Sequence, residues 1–468
     1  MIEAGLLVVR LGLGLATILA VGALPAARLA PDLRRLEVLA VGFGVGTLLI
    51  TLWMLALSSL GLEFHLPLVA GPPLALAAGL WLGKRLAAWR RSSQPAPPPS
   101  PALPDPFSFW DWLFLGLLAL LYLFAGLRAV MYPIWAWDAV ATWGFKAKVF
   151  YLRAAVDLSG FEAHNYYPNL VPLSLTYLYL WLGQVNDHLV KIIFPCWGGG
   201  LLLLLFEMLR RLGLNRTQAL GVCAFLALNG LTLITHLHIA YADLALTYYT
   251  LGAAGFLYLW LAGAAPRRAL LLAAFFFAGL TWGKFEGAPL AGTILLAAGL
   301  TLLWLRPPRL GRRLASLAWP LAGMLAGYIP WRLYAASHGI EIGSDHVLGF
   351  YPRQLLQALT PFFWALINPG NFGLLWPATA LALVALGKKL FTTPPLFLAL
   401  FLGGNFLAIL LAYAVAPTSP FEFHLYLRAT LDRLLLHLTP VAALALGEAL
   451  QITQGEPSLL SPRLPAEP

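Results

Sequence analysis

Apolar stretches of about 20 residues, the length a helix needs to cross a bilayer, recur along nearly the whole of this chain. That recurrence constrains the fold more than any motif does. Inside hydrocarbon, backbone N–H and C=O groups must be satisfied within the protein, which leaves only helix bundles and closed barrels. Barrel strands alternate polar and apolar residues over segments of about 10 residues, and nothing in this sequence alternates that way. The remaining solution is an all-α polytopic membrane protein. A hydrophobic content of 60% among 468 residues and a mean hydropathy of +0.78 fit that class and not a soluble domain.

Hydrophobicity predicts about thirteen spans of this length, near 4–24, 37–60, 67–83, 108–131, 189–211, 216–236, 243–262, 268–283, 287–305, 314–334, 371–387, 394–415 and 430–450. The first of them carries Arg10 and reads as a span, not a cleaved signal. Basic residues set the direction of the spans, because cytoplasmic loops are enriched in Lys and Arg. Arg28, Arg34 and Arg35; Arg210, Arg211 and Arg216; Arg306, Arg309, Arg312 and Arg313; and Lys388 and Lys389 all fall on one side, expected to be cytoplasmic. The net charge of +10 is therefore read as topology and not as a nucleic-acid footprint. Proline-rich residues 92–107 read as an extended cytoplasmic linker. It separates a three-helix membrane segment (1–91) from a larger module (108–450), which a short tail (451–468) follows. Cys196 and Cys223 lie within apolar runs and read as small core residues.

Only 11% of residues are charged, yet Asp138, Lys146, Lys148, Arg153, Asp157, Glu162, His164, Asp187 and His188 crowd into residues 132–188. Further along, Asp243, Glu286, Glu341, Asp345, Glu422 and Asp432 map to the same side, opposite the basic clusters. Acids do not set topology, so this gathering points to a working site. A helix over 139–156 would align Asp138, Thr142, Lys146 and Arg153 on one stripe, with Asp138 and Lys146 about 12 Å apart. The stripe suits either a plain interfacial helix or a groove with a base at one end and a cation at the other. Residues 169–183, with Pro168 and Pro172 at their start, read as a juxtamembrane helix dipping into the outer leaflet. The loops at 335–360 and 416–429 read as modest connections.

Asp243 opens a span, where aspartate is a favoured N-cap; the alternative is a cation site shared with His236 and His238. Lys284 and Glu286 sit at the outer end of another span, as interfacial anchors or beside an anionic headgroup. Arg332, Arg353, Arg428 and Arg433 stand on the side where the positive-inside rule disfavours them, which suggests anionic partners. No G-x-x-x-x-G-K-[ST] loop or H-E-x-x-H motif occurs, so nothing here supports ATP hydrolysis or zinc proteolysis. The glycines of GFGVG (42–46) lie mid-span and read as a close-packing surface.

The layout resembles the GT-C superfamily of membrane glycosyltransferases, which includes protein mannosyltransferases and aminoarabinose transferases. AWDAVATWGFKAK, YYPNLVPL, YADLAL and GKFEG carry the resemblance, which extends over roughly 108–450. Three additional spans precede the usual start, and the first-loop acid stands alone instead of in a pair. The resemblance implies juxtamembrane helices in the first extracytoplasmic loop and an inverting transfer of sugar from a polyprenyl-phosphate carrier to an acceptor hydroxyl. It makes Asp138 the general base and Lys146, Lys284, Arg332 and Arg428 the donor phosphate-binding cations. Asp243, Glu286, His164 and Tyr167 are then expected to hold the acceptor or a divalent cation. Implied partners are the lipid-linked sugar, membrane lipids and an acceptor glycan, lipid or protein, in a bacterial plasma membrane. The alternatives are a flippase for lipid-linked sugars or a glycan polymerase or ligase of the O-antigen type.

Overall fold

The computed structural model describes residues 2–91, 106–161, 164–341, 349–415 and 422–453. All but the last two residues of the linker at 92–107, Glu162, Asp345 and most of the tail lie outside the described residues. Among those described, every regular element is helical.

The chain begins with α1 (Ile2–Leu29), α2 (Arg35–Ser59) and α3 (Leu66–Arg91). A Cβ on Gly22 would stand 1.9 Å from the Gly42 carbonyl oxygen, and one on Gly46 1.9 Å from that of Ile18. The glycines of the 42–46 run therefore let α1 and α2 touch backbone to backbone, the use expected of small residues in membrane helices. After α4 (Phe109–Met131) comes a π-helical turn, Ala139–Gly144, which continues into α5 (Phe145–Arg153). Then come α6 (Leu170–Leu182), α7 (Ile193–Arg211), α8 (Arg216–Leu228), α9 (Leu231–His236) and α10 (Asp243–Leu261). The second half holds α11 (Ala269–Gly283), α12 (Gly287–Leu305), α13 (Leu310–Ser316), α14 (Ala318–Ser337), α15 (Pro352–Ile367) and α16 (Pro369–Phe372). It closes with α17 (Leu375–Ala385), α18 (Lys389–Thr392), α19 (Leu396–Val415), α20 (Phe423–Leu436) and α21 (Thr439–Thr453).

Among the described residues, 8 helices are long and apolar enough to cross a membrane, or 9 if α20 and α21 form one span bent by 42°. The difference from about thirteen lies in broken and short helices and in α14, which is long enough at 20 residues but not apolar enough. The stretch 216–236 divides at Gly230, whose φ of 152° suits glycine and whose Cβ would sit 2.3 Å from the Asn371 carbonyl oxygen. Within 371–387 the helix α17 is only 11 residues long. Conversely, the region read as a loop at 335–360 contains most of the amphipathic α15, whose polar residues keep it below the hydropathy of a span. The bounds of α6 match expectation, but the helix is enclosed by α1, α2 and α5 instead of facing lipid.

α2 measures the molecule from end to end. Near its start, Glu37 accepts hydrogen bonds from Arg211 at 2.8 Å. Near its end, Ser58 accepts the Val156 N–H at 3.0 Å, and Thr51 accepts from the Trp282 indole at 2.9 Å. The rise from Glu37 to Ser58 is about 31 Å, close to the hydrocarbon thickness of a bilayer. The helix ends rich in arginine and the loop after α4 thus occupy opposite faces of an integral membrane protein.

Candidate active site

The π turn decides where the first-loop residues point. A π-helical turn holds more residues than an α-helical one, and the stripe expected along 139–156 is divided, with Thr142 and Lys146 buried and Arg153 72% exposed. Asp138, at the start of the turn, keeps 34% of its side chain exposed and receives a hydrogen bond from Arg433 Nη1. Lys146 is fully buried, and its Nζ donates to the His164 carbonyl oxygen at 2.5 Å. The helix stops at Ala154, which adopts a left-handed conformation (φ 51°).

Arg433 joins two acids. While Nη1 meets Asp138, Nε donates to Asp243 Oδ2 at 3.0 Å. Asp243 is completely buried and is the first residue of α10, with Ala242 at the N-cap position, so it is not the expected N-cap. Its Oδ1 accepts from Lys284 Nζ at 2.9 Å and from His437 Nε2 at 3.1 Å. A carboxylate has only acceptors, so the shared hydrogen belongs to His437. Lys284 is 4% exposed and reaches a further acid, Glu286, at 2.9 Å. Burial raises the Glu286 carboxyl, but the charge and hydrogen bond of Lys284 outweigh it and hold the group below the usual glutamate range. Glu286 Oε2 is enclosed without a hydrogen-bond partner among the described residues. The cluster therefore draws on the loop after α4, the start of α10, the α11–α12 connection and the end of α20.

An aromatic wall adjoins it. Tyr167 stacks on Phe285 with ring centroids 6.2 Å apart and on Trp143 at 5.8 Å, and the His164 ring lies 5.0 Å away. Burial, and then the charge of Glu286, push the Tyr167 phenol well above its ordinary pKa, so it stays a hydrogen-bond donor.

The expected phosphate-binding cations separate. Lys284 and Arg332 line one crevice together with Tyr166, Thr281 and Tyr328. Arg428 is exposed and faces a different cavity, between α15 and α20. Lys146 is buried beneath His164 and reaches neither space in this conformation. The cation reading of Asp243 meets a carboxylate whose oxygens are already bonded to N–H groups. His236 and His238 instead face Thr232 and Phe124, respectively. Among the described residues no three His, Cys, Asp or Glu side chains converge as a metal site.

Arg433 and His437 are the members that sequence reasoning undervalued. Their four-residue spacing puts both on one helical face, a signal that gains meaning only once Asp243 is known to sit opposite.

No family model matches the chain, and no curated protein matches it in sequence. Among solved structures, ArnT from Cupriavidus metallidurans bound to undecaprenyl phosphate superposes with a TM-score of 0.52 at 15% identity. The same enzyme in the apo state gives 0.51 at 15% identity. Each alignment covers 73% of this chain but only 60% and 59% of the ArnT chain, respectively. At that identity the likeness is one of architecture. The chain has an ArnT-like polytopic helical fold.

Proposed function

We propose that this protein is an inverting glycosyltransferase, moving a sugar from a polyprenyl-phosphate carrier to an acceptor hydroxyl at the extracytoplasmic face of a bacterial plasma membrane. One observation carries the reading. Arg433 couples a part-exposed acid, Asp138, to a buried acid, Asp243, whose other partner Lys284 lines a crevice with Arg332. Support also comes from the shared architecture, since an ArnT of that fold holds undecaprenyl phosphate.

In this mechanism Asp138 accepts the proton of the acceptor hydroxyl as the oxygen attacks the anomeric carbon. The bond from that carbon to the phosphate oxygen breaks on the opposite face, which inverts the configuration. The departing polyprenyl phosphate gains negative charge, and preorganised cations stabilise it most in the transition state. We assign that role to Lys284 and Arg332, which line one crevice. Arg433 orients Asp138, while Asp243 and His437 hold Arg433 and Lys284 in register. The Tyr167 hydroxyl and the enclosed Glu286 Oε2 offer one donor and one acceptor to a sugar. Orientation rests on the arginine-rich helix ends, which the positive-inside rule assigns to the cytoplasm.

The test is transfer from radiolabelled polyprenyl-phosphate sugars by purified protein in nanodiscs. Release of free polyprenyl phosphate by the wild type, lost in Asp138→Asn, is the expected result. Labelled lipid crossing the bilayer with no phosphate release would point to a flippase instead.

A further inference from the structure

A cavity of about 970 Å³ opens between α15 and α20, apart from the Asp138–Arg433–Asp243 cluster. Its size is that of a small-molecule site, about 300–1,000 Å³. The charges of the lining are nearly balanced, with Glu422 beside His424 at 3.3 Å and Asp432 sharing the wall with Arg428, which favours a neutral ligand over an anion. Gln357, Asn368 and Asn371 add carboxamides, each able to donate and accept, which is what a set of hydroxyls requires. Asn371 Nδ2 donates to Asp432 Oδ1 at 2.9 Å and fixes that acid in the wall. Trp364, 60% exposed, lines the same space and supplies an aromatic ring. Hydroxyl partners beside an aromatic plane suit a pyranose, which has polar edges and apolar C–H faces.

The two faces of α20 connect this cavity to the charge cluster. His424, Leu427, Arg428, Leu431 and Asp432 line the cavity at i, i+3, i+4, i+7 and i+8. Arg433 and His437 lie roughly 100–180° around the same helix and meet Asp138 and Asp243. A ligand held on one face therefore bears on the helix that positions the acids on the other.

We propose that this cavity binds a neutral oligosaccharide, the non-reacting glycan portion of the acceptor. Binding energy from a remote part of a substrate serves to position its reacting group. Only the identification of the occupant as acceptor rests on the transferase reading; the neutral-glycan site stands on its own lining.

The experiment is saturation-transfer NMR on the full-length protein in nanodiscs with maltotriose, chitotriose and mannotriose, each with and without inorganic phosphate. At least one trisaccharide should show transfer that phosphate leaves unchanged. Its affinity should fall about fivefold in Trp364→Ala, through loss of the aromatic face, and return in Trp364→Phe. Trp364 is mostly exposed, so the unfolding midpoint of Trp364→Ala should match the wild type. Asn371→Ala should weaken the same signal. Absence of transfer with all three sugars, transfer indifferent to Trp364, or displacement by phosphate would each overturn the proposal. Decaprenyl phosphate binding, measured in parallel with Lys284→Ala, reports on the transferase reading separately. Its failure with trisaccharide transfer intact would leave the cavity assignment standing.

Discussion

The molecule carries a buried ion-pair network near each of its two faces, and they differ in a way that burial alone does not reveal. At the arginine-rich end, Glu37 is fully buried against Arg211, Glu207 is 5% exposed against Arg34, and Arg211 also reaches Asp32. These residues come from the α1–α2 connection, α2 and α7, and they tie helix ends together. At the other end, Asp243 is as deeply buried as Glu37. There, as with Arg211, one guanidinium links a buried acid to a part-exposed one. The buried acid, however, also holds a lysine and a histidine, that lysine lines a crevice with Arg332, and four chain segments meet. Buried ion pairs are weak evidence of either stability or function. A buried acid shared by several cations, one of which lines a crevice, is the more telling sign.

That contrast can be broken most directly at the two acids. Asp138→Asn should lower turnover by about 10²–10⁴-fold, the usual share of a general base. Glu37→Gln should leave turnover per folded molecule within about twofold of wild type, since Glu37 lies far from the reacting atoms. Equal losses in a nanodisc transfer assay would remove the distinction. Arg433→Lys keeps the charge but not the fork that spans Asp138 and Asp243. A turnover loss of about 10²-fold is expected from misplacement of the base, with donor affinity changed far less; a normal rate would show that the bridge is structural only.

Stability should fail to separate the networks, which is itself informative. Arg211→Ala leaves the buried Glu37 without its cation and Asp243→Ala takes the shared acceptor from Lys284, Arg433 and His437, each at a cost of about 3–5 kcal/mol, read from unfolding in detergent. A negligible effect of either would show that its site relaxes or admits water.

The pH dependence is smaller and signed. Because Glu286 is held below its usual range, its ionised form stabilises the folded state at and above that range. The contribution should disappear as pH falls through the lowered folded-state value. In Lys284→Met that acid limb should shift upward, and an unchanged melting profile between wild type and variant would contradict the coupling. Smallest of all, the surface pair Arg153–Asp157, 72% and 29% exposed, should matter little. Arg153→Ala is expected to change stability by less than about 1 kcal/mol; a larger change would mean that α5 is held by its surface.

Much of this protein is legible in one dimension. Long apolar runs announce membrane helices because a bilayer leaves the backbone no other solution, and GFGVG announces a close helix contact because only small residues permit one. Asp138, Asp243, Lys284 and Glu286 stand out because charge is scarce in such a chain, and the structure gathers all four into one network with Arg433. Lys146 and Arg428 stand out for the same reason, yet they lie elsewhere, because abundance along the chain says nothing of direction in space. Hydropathy also overcounts spans where a helix breaks, as at Gly230, and passes over α15, whose amphipathic character averages away.

What the sequence determined by itself is the helical class, the membrane as solvent and the pool of candidate residues, all consequences of composition and period. What the tertiary structure decided is partnership. The π turn at Ala139–Gly144 separates Asp138 from Lys146, the bend between α20 and α21 places His437 against Asp243, and Arg433 finds two acids 190 and 295 residues distant. Electrostatic contacts fall off over a few ångströms, so they are set by how helices pack and not by where their residues stand in the chain.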